Sequence, residues 1–265
     1  MLLGSGGDRH HPKNLVSRQL FHGAKIEKQE TYLLKRIQFM ELKWVARPDN
    51  TAAKKEGVVK MSDIIRDFQG LPATCISDAL NGLTNMDPAI KPVSDDLKVA
   101  GRAYTVKLRA ADNKQVLKAI KEANEGDVLV VDGRGYVHNA SCGDFVIGLA
   151  KTMGLAGVVI DGAVRDIEGI RELNYPVFCK GTTLAASDKH GTGETNVEIS
   201  CGGAVVKPGD IIVGDADGVT VVPKEQEEEV LEKAKVKLEK DEKREKEILG
   251  DSEKVLAYIE KQLSK

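Results

Sequence analysis

Hydrophobic positions along this chain keep two rhythms, and from Ser62 onward the two alternate almost without interruption. Short β-branched runs bounded by turn residues read as buried strands. Apolar residues spaced three and four apart read as helices. Ser62–Arg66 opens a short helix with Ser62 as its N-cap. Cys75–Leu80 forms a second helix that stops at Gly82. Val99–Leu108 reads as a strand, and Lys114–Ala123 sets Val116, Leu117 and Ile120 on one helical face. The remaining segments alternate: strand Gly126–Asp132, helix Phe145–Met153, strand Ala156–Asp161, helix Asp166–Leu173, strand Pro176–Cys179. That rhythm predicts parallel βαβ units with right-handed crossovers.

The pattern changes after Gly202. Gly202–Val206 leads to a turn at Pro208–Asp210, and Ile211–Val213 pairs across Gly214–Gly218 with Val219–Val222. The fold class is therefore α/β with an added antiparallel section. Lys224–Leu249 is a long charged helix with a thin apolar stripe (Val230, Ala234, Leu238). Gly250 ends it, and Asp251-Ser252 caps a further helix carrying Val255, Leu256, Ile259 and Leu263. Thin stripes of this kind pack on another surface, often another subunit. Residues 1–60 differ from the rest: basic, weakly periodic, with one amphipathic stretch at Tyr32–Met40 and a turn at Arg47–Thr51. The expected organisation is an N-terminal extension (1–60), a main domain (61–223) and a pair of C-terminal helices (224–265).

Composition narrows the function. Aromatics make up 4% of the chain, so its core is aliphatic. The formal net charge of −2 gives no electrostatic ground for nucleic-acid binding. Cys75, Cys142, Cys179 and Cys201 lie far apart without a C-x-x-C pair, which reads as reduced, buried thiols. No apolar run approaches the ~20 residues that span a bilayer. The first residues lack the charged-then-apolar order of a secretory signal, so the expected compartment is the cytoplasm.

The chemistry concentrates where strands give way to helices. In Gly157–Asp166 a buried strand ends, a glycine follows, and Arg165-Asp166 begins a helix. Ligands of open α/β sheets bind at the carboxyl ends of strands, and a helix start suits an anion. Arg165 can grip a carboxylate with both arms of its guanidinium. Asp166 can hold a hard divalent cation through one oxygen while waters fill its other positions. Together they suit a 2-oxo acid and its enolate. The bland alternative is a helix-terminal aspartate beside a structural arginine, and this segment alone leaves both open. Ser141–Phe145 is a second such junction. Gly143 permits close approach, and Asp144 can orient a water or move a proton; a plain helix cap is the alternative there.

These segments carry a resemblance. The ordered blocks Gly126-Asp127…Asp132, Gly143-Asp144-Phe145, Gly157…Asp161-Gly162…Arg165-Asp166, Pro176-Val177-Phe178, Gly202-Gly203…Pro208-Gly209-Asp210 and Asp215…Asp217-Gly218-Val219…Pro223 resemble the RraA-like family. That family includes 4-hydroxy-4-methyl-2-oxoglutarate aldolases, which also decarboxylate oxaloacetate, and regulators of ribonuclease E activity. The resemblance implies a layered β/β/α sandwich assembled as a homotrimer or homohexamer. It implies Asp166 as the ligand of Mg2+ or Mn2+ and Arg165 as the arginine that binds the pyruvyl group. Gly143, Asp144 and Phe145 match the loop whose backbone amides contact substrate and whose acid handles a water. A glutamate from a neighbouring subunit's C-terminal region is also implied, with Glu239, Glu242 and Glu245 all eligible.

Two functions follow. One is a metal-dependent lyase that cleaves a carbon–carbon bond of a small 2-oxo acid. The other is a non-catalytic ring that regulates a ribonuclease by surface contact. The complete Arg165-Asp166 pair and the C-terminal helices favour the first. Other motifs read as structure: Asp215–Gly218 as a hairpin turn, Lys189–Gly193 as a surface loop, and His138 as a residue packed near a strand end.

Overall fold

The structure, a computed structural model, describes residues 64–264. The N-terminal extension, the Tyr32–Met40 stretch and the Ser62 cap lie outside the described residues. A short helix at 64–69 leads into α1 (Ala73–Ala79), β1 (Lys91–Pro92) and β2 (Val99–Leu108). Then come α2 (Lys114–Glu122), β3 (Val128–Cys142), α3 (Asp144–Thr152), β4 (Gly157–Val164), α4 (Ile167–Glu172) and β5 (Val177–Thr182). Five short strands follow: β6 (Gly193–Thr195), β7 (Ile199–Cys201), β8 (Ala204–Val206), β9 (Ile211–Asp215) and β10 (Gly218–Val222). The helices α5 (Glu227–Ile248) and α6 (Ser252–Leu263) complete the described chain.

The strands lie in the order β1-β5-β4-β3-β2-β9-β10, with β6 beside β2 and β7–β8 forming a separate hairpin. β2, β3, β4 and β5 are parallel, joined through α2, α3 and α4. Side chains alternate between the two faces of a strand, and the core divides accordingly. On one face Val106, Leu129, Val131, Val158, Ile160 and Val177 pack against the helix layer of α2, α3 and α4. On the other, Val99, Val128, Val130, Val159 and Phe178 pack under β7–β8 and β10. Both faces being covered explains the near-continuous Val and Ile of β3 and β4. The result is the layered β/β/α arrangement that the resemblance implied.

A third cluster joins the helix at 64–69, α1 and α5 to the β9–β10 edge through Phe68, Ile76, Ile211, Val222, Val230 and Ala234. Two polar ties hold it there. The Ala73 amide donates to Asp215 Oδ2 at 2.9 Å, so the start of α1 is satisfied from the β9–β10 turn. Arg102 on β2 grips Glu227 at the start of α5 with both guanidinium arms and also donates to the Gly209 carbonyl at 3.1 Å. Gly250, at φ 89°, ends the helical run, and the Asp251 carboxylate accepts from the Glu253 and Lys254 amides as the cap of α6. Among the described residues no helix is long and apolar enough to cross a membrane.

Two segments depart from the sequence reading. The strand expected to stop at Asp132 runs on to Cys142, through register shifts at Val131/Tyr136, Tyr136/Ala140 and Ala140/Cys142. The helix expected from Asp166 starts at Ile167, and Asp166 itself is a left-handed N-cap at φ 56°, ψ 45°.

Candidate functional site

The extra length of β3 builds the site. It carries the chain to Cys142, whose carbonyl accepts the Arg165 amide at 3.0 Å. The two strand–helix junctions, 142–145 and 164–167, are thereby stitched side by side. Gly143, Asp144, Phe145, Arg165 and Asp166 come together at this point.

Two contacts between a carboxylate and a glycine set the geometry. A Cβ on Gly143 would lie 2.5 Å from Asp166 Oδ2 and 3.3 Å from Arg165 Cγ and Nε, so glycine leaves the room those side chains occupy. A Cβ on Gly169 of α4 would lie 2.7 Å from Asp144 Oδ2. Each acid thus rests on a glycine of the other junction. Gly169 is a site residue that sequence reasoning passed over, since a lone glycine inside a helical pattern carries no chemical signal.

Arg165 Nε stands 3.2 Å from Asp166 Oδ2, and both side chains are close to half exposed. Asp166 makes no side-chain cap to α4, which disfavours the bland reading of a helix-capping aspartate. Its left-handed backbone is uncommon outside glycine, though Asp tolerates it better than most. Held there, the carboxylate faces Gly143 instead of its own helix. Asp166 Oδ1 has no partner among the described residues, and a half-exposed carboxylate with a spare oxygen suits magnesium, which keeps several waters and takes one or two protein oxygens. Among the described residues no group of three or more His, Cys, Asp or Glu is poised as a ready cage, and such a cation does not require one. The Phe145 amide donates to Asp144 Oδ1 at 2.6 Å, and the Phe145 ring is exposed. α4, six residues long, contributes little helix dipole.

A second polar feature lies deeper. Asp132, Asp161 and Lys180 each follow the paired row Val131, Ile160, Cys179, and Lys107 pairs with Asp132. Adjacent positions on four parallel strands therefore carry a row of charges in the order plus, minus, minus, plus. Lys180 Nζ lies 2.7 Å from Asp161 Oδ1 and 2.9 Å from Asp87 Oδ2. Asp161 Oδ2 accepts the Gly202 amide at 3.0 Å, which fastens the β7–β8 turn over the sheet. Burial pushes the Asp132 carboxyl up and neighbouring Asp161 adds to the rise, against the Arg134 amide that donates to it. Burial alone would lower the Lys180 ammonium, but Asp161 and Asp87 outweigh it and hold it above its ordinary value. Lys180 was missed because only cross-strand register brings it to the row, and Asp87 because it reaches Lys180 from a loop distant in sequence.

The four cysteines are all buried and free. Burial pushes the Cys142 thiol up to about 12 and the Cys179 thiol up to about 11, so neither is a thiolate nucleophile at neutral pH. His138 is exposed and tilts against Tyr136 with ring centroids 5.4 Å apart. Asp215–Gly218 is the β9–β10 hairpin turn.

Known proteins are similar to this chain. The family model described as RraA-like: Aldolase/RraA matches residues 73–221. A Halalkalibacterium halodurans protein, provisionally named 4-hydroxy-4-methyl-2-oxoglutarate aldolase, is 55% identical over 201 residues, spanning 76% of this chain and 96% of its own. The solved structure of an RNA-processing inhibitor RraA from Thermus is similar at a TM-score of 0.53 and 35% identity, over 57% of this chain and 92% of that one. An unusual Streptomyces coelicolor member of the RNase ES inhibitor RraA family is similar at a TM-score of 0.64 and 26% identity, over 76% of this chain and 100% of that one.

Proposed function

The chain belongs to the RraA-like family, and from that premise we propose that it is a carbon–carbon lyase acting on small 2-oxo acids. The reaction type is that of 4-hydroxy-4-methyl-2-oxoglutarate aldolase and oxaloacetate decarboxylase. The observation that carries this reading is the contact of Arg165 with Asp166, half exposed at the end of β4 and packed on Gly143.

Asp166 is the residue that would hold Mg2+ or Mn2+, which when bound supplies Lewis-acid polarisation of the keto acid. Arg165 binds the pyruvyl end of the substrate and offsets the negative charge that grows on the enolate oxygen as the carbon–carbon bond breaks. Charge stabilisation of this kind is worth about 3–4 kcal/mol per donor. Gly143, lacking a side chain, keeps the approach to Arg165 and Asp166 open. Asp144, seated on Gly169, holds the water that returns a proton to the enolate carbon. Oxaloacetate and one proton then become pyruvate and carbon dioxide, with no redox change. The backbone amides of Gly143, Asp144 and Phe145 complete the contact with substrate, once the Phe145 amide turns from Asp144.

The Thermus inhibitor is similar over little more than half of this chain, but the Streptomyces relative matches 76% of it, the same share as the Halalkalibacterium protein, so the preference for the lyase rests on the Arg165–Asp166 pair. α6 leaves Leu256, Ile259 and Leu263 exposed, together with Leu249 before it, a surface suited to subunit contact in a trimer or hexamer. Glu239, Glu242 and Glu245 are exposed on α5 and available to a neighbouring site.

The test is pyruvate release from oxaloacetate by the full chain, with and without Mg2+ or Mn2+, alongside Arg165→Ala. Release above the metal-only background is expected, falling at least ~100-fold in the variant. Release no faster than metal alone, or unaltered by Arg165→Ala, refutes the lyase and leaves the regulator.

A further inference from the structure

Residues 183–192, between β5 and β6, form a strap whose contacts run in order along the sheet: Val164 at the end of β4, His138 to Ala140 on β3, then Ala111 to Asn113 beyond β2. The Thr183 amide donates to the Val164 carbonyl at 2.9 Å, and the Thr183 hydroxyl donates to the His138 carbonyl at 3.2 Å. The Ala140 amide donates to the Ala185 carbonyl at 2.8 Å. Further on, the Asp188 amide donates to the Ala111 carbonyl and the Asp188 carbonyl accepts the Asn113 amide. Asp112 Oδ2 accepts the Gly191 and Thr192 amides at 2.8 and 3.0 Å, a clip that fastens the far end of the strap to the start of α2.

The near end bears on Arg165. Val164 and Arg165 share one peptide group, and a peptide group is planar. Its N–H donates to the Cys142 carbonyl and its C=O accepts the Thr183 amide, so the plane from which Arg165 departs is gripped on both sides. The two grips differ in kind. Cys142 is buried in β3, whereas Thr183 is the first residue beyond β5, where the chain comes out to solvent. Thr183 is therefore as steady as the strap that carries it. Asn139 steadies that strap with its side chain: Nδ2 donates to the Ala186 carbonyl at 2.6 Å. Asn139 Oδ1 accepts the Tyr136 hydroxyl at 3.3 Å, which turns the nitrogen of the amide toward the strap. Asn139 lies between the register-paired residues Tyr136 and Ala140, in a stretch where β3 shifts against β4.

We propose, on the lyase reading, that Asn139 is a positioning residue for the reaction. It pins the strap at Ala186, the pinned strap holds Thr183 on the Val164 carbonyl, and the side chain of Arg165 is aimed by the peptide group so fixed. The bonds of Asn139 go to Ala186 and Tyr136 and not to Arg165 or Asp166, so its substitution reaches the rate through Arg165. Displacement of a reacting group by about 1 Å costs on the order of 100-fold. Loosening one grip of two moves Arg165 by less, and a loss of about ten-fold follows.

The experiment compares the full chain with Asn139→Asp, which keeps the shape and the acceptor for Tyr136 but lacks the N–H donor, and with Asn139→Gln, which keeps a donor. Amide hydrogen exchange is read residue by residue, beside urea unfolding and pyruvate release from oxaloacetate with Mg2+. Asn139→Asp is expected to speed exchange of the Thr183 and Arg165 amides about ten-fold, the yield of one lost hydrogen bond in a local opening. Exchange at Val159 and Ile160 and the urea midpoint are expected to stay as they are, while kcat falls about ten-fold. Asn139→Gln is expected to restore most of both. Unaltered exchange at Arg165 in Asn139→Asp overturns the proposal whether or not the protein is a lyase. So does a rate equal to that of an active parent protein, or a loosening spread evenly over β4 and the urea midpoint, which marks a structural role only. A parent protein that releases no pyruvate overturns the lyase reading instead, and exchange at Arg165 then decides on Asn139.

Discussion

Gly143→Ala separates positioning from folding at the candidate site. Gly143 sits at φ −118°, ψ 179°, an extended conformation open to any residue, so the substitution acts through its methyl group alone. That methyl would stand 2.5 Å from Asp166 Oδ2 and 3.3 Å from the Arg165 side chain. Carbon and oxygen need roughly 3.3 Å, so the carboxylate must retreat by about 0.8 Å, which a half-exposed side chain does by rotating into solvent. Overpacking a closed core costs about 1–3 kcal/mol; here relaxation keeps the cost at the low end, and the stiffer unfolded chain offsets about 0.4–1 kcal/mol of it. Net stability should change by less than about 1 kcal/mol. Displacement of a reacting group by about 1 Å costs on the order of 100-fold in rate. The assay is pyruvate release from oxaloacetate at saturating Mg2+, beside urea unfolding of the same preparation. Turnover within two-fold of the parent protein, at unchanged stability, would refute the claim that Gly143 exists to seat Asp166.

Two further outcomes follow from buried polar groups. Burial would raise the Asp112 carboxyl, but the Lys114, Thr192 and Gly191 amides donate to it and hold it below its ordinary value. Its stabilisation is therefore present above the unfolded value near about 3.9 and is lost as pH falls through the lower folded value. Asp112→Asn should flatten the acid limb of a stability–pH profile below about pH 4, and a limb of unchanged steepness argues against the clip. Tyr175 is buried and donates from its hydroxyl to the Leu155 carbonyl at 2.9 Å. Tyr175→Phe leaves that carbonyl unpaired and should lower unfolding free energy by about 1–2 kcal/mol, with pyruvate release unaltered. An equal loss of activity would mean that the helix layer couples to the site.

Features read correctly from the sequence were local. The burial of Val116 and Ile120 on α2 (with Ala119 in the place expected for Leu117), the Asp251 cap, the Gly250 stop and the β9–β10 turn each depend on residues a few positions apart. So did the juxtaposition of Arg165 with Asp166, which adjacency guarantees. Misread features depended on register. Gly133 and Gly135 carry turn signals, yet the strand continues past them because β4 offers partners to Tyr136, Ala140 and Cys142. Each shift breaks the two-residue alternation on which a strand is recognised. The left-handed Asp166 was invisible for a related reason: its backbone answers to what stands opposite, Gly143, and not to its helix. The charged row through Lys107, Asp132, Asp161 and Lys180 spans four strands. Each member ends its own apolar run as an ordinary polar boundary, and only their alignment makes them a group.

β2 has a consequence for how the chain is made. Ala103–Lys107 bonds β3 on one side, while the other edge of β2 is covered by β9 for its first half and β6 for its second. The β3 partner leaves the ribosome soon after β2, and β4 and β5 follow, so the parallel core with its helices can assemble early. The strands that close the other edge come only with Gly193–Gly214, much later in synthesis. Until then a long, apolar strand presents unpaired amides and carbonyls to whatever is nearby, the situation in which edge-to-edge association begins. A nascent chain halted between Thr182 and Gly193 would hold nearly the whole helix-covered layer and still lack the cover for its most adhesive edge. Quality control acting on this protein would meet that edge first.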